Sequence, residues 1–154
     1  MIYPVTLARL SIRILAYAVC VLFLAGMAAC GATSTTGPSS TAPFSQVDLR
    51  LGDGAEAASG NSLTVNYTGW IYDPSKPDLK GLQFDTSANS TTPFTFTLGI
   101  QAVIQGWDKG LVGMKVGGIR KLVIPSSLAY GGARNQSIPP YATLVFEIEL
   151  LDVQ

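Results

Sequence analysis

The chain has 154 residues, 47% hydrophobic and 13% charged, enough for one domain with a short appendage and too few for a multidomain enzyme. Histidine is absent, and the only cysteines, Cys20 and Cys30, sit in an apolar N-terminal stretch. His-based triads, His-ligated zinc and thiol or disulfide chemistry are therefore excluded from the domain downstream. With Arg9 and Arg13 set aside, the ten basic residues fall to eight against ten acidic ones, too weak a field to gather nucleic acid or an anionic membrane surface.

Arg9 and Arg13 head an uncharged apolar run from Ile14 to Cys30 that ends in small residues, the layout of an export signal over 1–29. The run is at the lower edge of what spans a bilayer, so a permanent membrane helix is the weaker reading. "LAGMAAC" resembles a bacterial lipoprotein signal, although Met27 stands where that motif usually has Leu. The resemblance implies that Cys30 is lipidated and becomes the mature N-terminus; simple cleavage after Ala28 or Ala29 is the alternative. Gly31, rather than Asp, resembles lipoproteins sent to the outer membrane. Residues 30–46 are uncharged and rich in Ser, Thr, Gly and Pro, which makes them a flexible tether that buries nothing. The expected location is thus the cell envelope, with a domain over 47–154 anchored to a bacterial membrane by lipid.

Short β-branched and aromatic segments then alternate with Gly, Pro, Asn, Asp and Ser, which predicts strands near 47–51, 62–72, 82–87, 94–98, 117–124 and 142–153. In "SLTVNYTGW", Leu63, Val65 and Tyr67 alternate with Thr64, Asn66 and Thr68; in "ATLVFEIELLDV", Leu144, Phe146, Ile148 and Leu150 alternate with Val145, Glu147, Glu149 and Leu151. One short helix is predicted near Gln105 to Leu111, where Ile104, Trp107 and Leu111 share a face and glycines limit its growth. The fold class is α+β: an antiparallel sheet curved around one short helix.

"GWDKGLVGMKVGG" lacks the spacing of a phosphate loop or a dinucleotide fold, and the scattered acidic residues form no compelling metal or glycosidase pair. The Asn-x-Ser/Thr triplets at Asn66, Asn89 and Asn135 read as chance. What stands out is a set of aromatics at turn-flanked positions, which by composition alone is an ordinary core. The order of motifs says more: "VNYTGW", "QFDTS", "PFTFTLG", "VIQGWDKGLVGMKVGG", "IPSSLAYG" and "IPPYATLVFEIELL" succeed one another as in the FKBP-type peptidyl-prolyl cis/trans isomerases, whose domain this chain resembles from about 47 to its end.

The resemblance implies a shallow aromatic pocket between sheet and helix. Trp107 resembles its floor, Tyr67, Phe94, Val103, Ile104 and Phe146 resemble its walls, and Phe84 is counted with them among the site residues. Asp85 resembles the pocket carboxylate, Tyr130 the phenol that bonds a ligand carbonyl, the Ile104 N–H a second donor, and Ile138 the tip of the overhanging loop. There are three departures: Ala102 replaces an acidic residue where the family's ligand contact is a backbone carbonyl, so little is lost, while the Gly131–Ile138 loop is short and "YDPSKPDLKGLQ" is long, as in bacterial members, and these two loops bear on peptide preference. Implied partners are proline-containing peptides, unfolded exported proteins and macrolide inhibitors. No cofactor, metal or nucleic acid is implied, and a monomer is expected. Desolvation of the X–Pro amide is the implied catalytic principle. A noncatalytic peptide-binding or chaperone module on the same scaffold is the alternative.

Overall fold

The computed structural model describes residues 41–133, 135 and 137–154. The expected signal and Cys30 lie outside them. Among the described residues six strands, β1 (Ser45–Arg50), β2 (Ser62–Tyr72), β3 (Lys80–Thr86), β4 (Phe94–Thr97), β5 (Ile119–Ile124) and β6 (Leu144–Val153), form one sheet, with a single short α-helix α1 (Gln105–Gly110) between β4 and β5. Every pairing is antiparallel, in the order β1-β5-β6-β2-β3, and β4 also pairs with β2.

The β6 alternation holds for Leu144, Phe146, Ile148 and Leu150, all buried toward the helix side. Val145 departs from the expected polar face, because it is fully buried. Its register neighbours are Trp70 on β2 and Val123 on β5, so an apolar trio on the outer face shields it. The Lys80 ammonium lies 4.4 Å from the Trp70 ring centroid and covers that face further.

The first strand begins at Ser45, inside the expected tether, and pairs Ser45 with Val123 and Gln46 with Leu122. Phe44 also packs against the core, which corrects the expectation that this stretch buries nothing. Neither residue type at 45 or 46 carries an apolar signal, because backbone ladder bonds hold this edge strand while all its side chains are exposed.

Helix α1 sits tightly on β5. A Cβ on Gly106 would lie 2.4 Å from Ile124 Cγ2, and one on Gly110 2.7 Å from Leu122 Cδ2. The two glycines that shorten the helix also let it reach the sheet. Arg120, buried on β5, fixes the helix end: Nη1 donates to the carbonyls of Gly110 at 2.8 Å and Val112 at 3.1 Å, while Nε and Nη2 grip Asp48 of β1 at 2.6 and 3.1 Å. Helix, β5 and β1 are thereby tied through one guanidinium.

Candidate active site

Strand β2 has a different outer neighbour at each end. Ser62–Val65 pair with β4 and Thr68–Tyr72 with β3, so Tyr67 stands where the two neighbours diverge. Its backbone would lose ladder partners there. Side chains replace them: Ser87 Oγ accepts from the Tyr67 N–H at 2.8 Å, and Thr86 Oγ1 donates to the Tyr67 carbonyl at 3.1 Å. The fork opens the sheet surface beside Tyr67, and a cavity of about 380 Å³ occupies the opening.

Trp107 of α1, 4% exposed, lies below it. Tyr67 meets the indole edge-on at 5.2 Å and 77°, and Phe146 meets it at 5.3 Å and 87°. Among the described residues the buried indole Nε1 has no hydrogen-bond partner. Phe94, on the rim, completes an edge-on set with Tyr67 and Trp107. Gly69, opposite Phe146 in register, makes room for two rings: a Cβ there would stand 2.7 Å from Phe84 Cζ and 2.8 Å from Phe146 Cε1.

Consecutive strand residues ordinarily face opposite sides, yet Phe84 and Asp85 both line the cavity. The cause is a bulge. Gly69 pairs with Asp85 while Trp70 pairs with Gln83, leaving Phe84 as an extra residue on β3. The re-aimed Asp85 carboxylate accepts from the Tyr67 hydroxyl at 2.8 Å and from the Thr86 N–H at 2.8 Å. Burial, then the hydrogen bond to Asp85 and its charge, push the Tyr67 phenol up to about 12. Burial first and the Asp85 charge second also raise the Tyr130 phenol. Both phenols are protonated donors at neutral pH.

Of the residues singled out from the sequence, Tyr67, Phe84, Asp85, Phe94, Val103, Ile104, Trp107, Tyr130 and Phe146 all line this one cavity. Ile138 does not. It is buried at 6% exposure in the hydrophobic cluster and lines an adjoining space of about 220 Å³. Ala102 joins the lining. Ile104 caps α1 with extended backbone, φ −59° and ψ 146°, and among the described residues its N–H has no hydrogen-bond acceptor.

Asp108 has a part that sequence reasoning missed. Its two carboxylate oxygens accept from the N–H groups of Gly99 at 2.8 Å and Gln101 at 3.0 Å. Both residues have positive φ, 85° and 61°, so Asp108 pins a strained turn directly before the pocket residues Ala102, Val103 and Ile104. Nothing in a lone "WDK" signals this. Ser87 is equally silent in sequence, since its importance arises only from the fork in β2.

The cavity is walled by aromatics and aliphatics, with one carboxylate and two protonated phenols as its titratable groups. Such a lining can strip water from a bound amide and hold its carbonyls.

Residues 54–151 match the family model described as FKBP-type peptidyl-prolyl cis-trans isomerase. A protein named FK506-binding protein from Neisseria meningitidis serogroup B is 50% identical over 107 residues, covering 69% of this chain and 92% of that protein. Another of the same name, from Streptomyces anulatus, is 44% identical over 108 residues, covering 69% and 82%. Among solved structures, FkpA from Escherichia coli shares the fold with a TM-score of 0.60 at 40% identity, over 72% of this chain and 48% of FkpA. This chain therefore spans about half of the FkpA chain. The matched family model and the near full-length match to the Neisseria relative lead to one conclusion: this chain belongs to the FKBP-type peptidyl-prolyl cis-trans isomerases and is an isomerase.

Proposed function

We propose that the enzyme accelerates X–Pro rotation by desolvation in this aromatic cavity and serves the folding of exported proteins. The carrying observation is the lining itself, in which Tyr67, Trp107, Phe94 and Phe146 meet edge-on around a space of about 380 Å³. Amide resonance sets a rotation barrier of about 18 to 20 kcal/mol, and water stabilises the charge-separated planar form. A dry apolar wall removes that stabilisation and favours the twisted, less dipolar transition state. Lowering the barrier by about 5 kcal/mol corresponds to several-thousand-fold acceleration. No proton need be transferred: Asp85, Tyr67 and Tyr130 act as acceptor and donors, and the free Ile104 N–H supplies a further donor for a flanking carbonyl.

The relatives' printed name, FK506-binding protein, supports macrolide binding in the same cavity. The export-type N-terminus supports a location in the cell envelope, lipid-anchored through Cys30, with the domain acting as a monomer on unfolded exported chains. Isomerisation of a blocked proline tetrapeptide, followed with and without FK506, tests the reading. Turnover that FK506 abolishes is the expected result; absent turnover, or turnover indifferent to saturating FK506, contradicts it.

A further inference from the structure

We propose that a second, apolar groove beside the catalytic cavity, centred on Leu82, is a distal subsite for the same polypeptide substrate. It takes an apolar side chain from the segment flanking the isomerised proline. The inference rests on the isomerase reading of the neighbouring cavity.

Leu82 is 69% exposed, although it lies within a strand. Two bulges explain this. Between Lys80 and Asp85, β3 advances five residues while β2 advances only three, from Tyr72 back to Gly69. The second bulge falls between the Trp70 and Tyr72 pairings, beside Leu82, and turns its side chain away from the core. Bulges of this kind also spoil an edge for pairing with a further strand, so recognition here falls to side chains rather than to the backbone ladder.

The groove has a volume of about 330 Å³, with Ile71, Pro74, Leu82 and Pro139 supplying its apolar lining. Its one charged residue is Asp73, whose Oδ1 already accepts from the Ser75 N–H at 2.9 Å and the Ser75 hydroxyl at 2.6 Å. The apolar preference of the surface therefore comes from Ile71, Pro74, Leu82 and Pro139, with the Asp73 carboxylate turned to Ser75 through one oxygen.

Continuity identifies the occupant. The adjoining space of about 220 Å³ shares Phe84, Asp85 and Tyr130 with the catalytic cavity and Ser137 with the groove. The second space thus links the lining of the catalytic cavity to that of the groove, and a chain bound by its proline in the first would lead through the second toward the third. An extended peptide advances about 3.3 to 3.6 Å per residue, so the residues flanking the bound proline are the ones that a neighbouring surface meets first. The long "YDPSKPDLKGLQ" segment and Pro139 form the walls of the path's far end.

The test uses the full chain, with Leu82→Ala and Leu82→Asp. These changes lie on an exposed side chain and outside the catalytic lining. Three probes are compared: a blocked proline tetrapeptide, longer proline peptides with a single leucine placed at successive distances from the proline, and the same peptides with alanine there. Binding is read by fluorescence anisotropy and turnover by isomerisation kinetics. Wild type should prefer one leucine placement about fivefold or more over alanine through KM and Kd, and Leu82→Asp should erase that preference. Tetrapeptide turnover should stay within about twofold. Equal losses on tetrapeptide and leucine peptide overturn the proposal, as does an unchanged leucine preference in both variants. A wild-type dimer that Leu82→Asp dissociates also overturns it, because the groove then holds a second copy. Leu82-dependent binding without any wild-type turnover sustains the groove and sinks the isomerase reading instead.

Discussion

The Tyr67 hydroxyl donates to the Asp85 carboxylate at 2.8 Å, joining β2 to β3 beside the fork in the sheet. The bond holds the Tyr67 ring upright against Trp107, with centroids 5.2 Å apart. It also gives the pocket acid a fixed partner, and in the mechanism we propose Asp85 anchors a wall and carries no proton.

That relationship is visible in titration. Burial and then Asp85 raise the folded phenol of Tyr67 to about 12, above its ordinary value of 10.0. A raised folded value stabilises the fold fully below the unfolded value. The contribution fades as pH climbs from about 10 through about 12. In Asp85→Asn the Asp85 contributions vanish and burial remains, so Tyr67 should ionise at lower pH than in wild type. Tyrosinate absorbance, differenced against Tyr67→Phe, checks this; an unchanged midpoint contradicts the assigned hydrogen bond.

Trp107 and Phe146 are 4% and 3% exposed, and both face the cavity. Truncating either to alanine should cost about 3 to 5 kcal/mol in stability and admit water to the pocket. Variants that remain folded by circular dichroism should lose catalytic efficiency and FK506 affinity together. Full efficiency in a folded Trp107→Ala or Phe146→Ala protein is incompatible with the site.

Asp108 touches no ligand surface and acts through the turn it pins. Asp108→Ala frees two backbone N–H groups and should cost about 1 to 3 kcal/mol. Because Val103 and Ile104 follow that turn, the catalytic efficiency should also fall, with KM rising more than kcat falls. Asp108→Asn keeps one acceptor oxygen and should rescue part of the KM effect. If both variants lower stability while leaving KM unchanged, Asp108 is structural only.

Much of this was legible along the chain. Alternation in β2 and β6 marks their buried faces, and the ordered motifs carry the pocket residues on consecutive elements. The rest depends on pairing, which one-dimensional patterns do not encode. Whether Phe84 and Asp85 face the same side turns on a bulge, and the demand at Tyr67 turns on where β3 and β4 diverge. Ile138 carries its loop motif plainly, yet its burial depends on how that loop folds back. Val145 reads as outward-facing in its own strand and is covered only through Trp70 and Val123 on others.

The envelope placement we propose rests on lipidation of Cys30. Replacing it with serine removes the acyl attachment point, and burying acyl chains supplies about 0.8 kcal/mol of membrane affinity per CH₂. Cys30→Ser should move the domain to the soluble fraction with unchanged isomerase activity. Metabolic labelling with a clickable fatty acid gives the second readout. A wild-type protein that takes up no label and fractionates as soluble sinks the anchor.

Desolvation without proton transfer is the central claim, and heavy water tests it most directly. Isomerisation of one proline tetrapeptide should be measured in light and heavy water from about pH 5 to 9, for wild type and Tyr130→Phe. The account expects a flat profile, an isotope effect near unity, and substantial activity in Tyr130→Phe, with FK506 affinity weakened by about 0.5 to 1.5 kcal/mol. A bell-shaped profile with an isotope effect of about two or more, or a folded Tyr130→Phe without turnover, would show a proton in flight and contradict it.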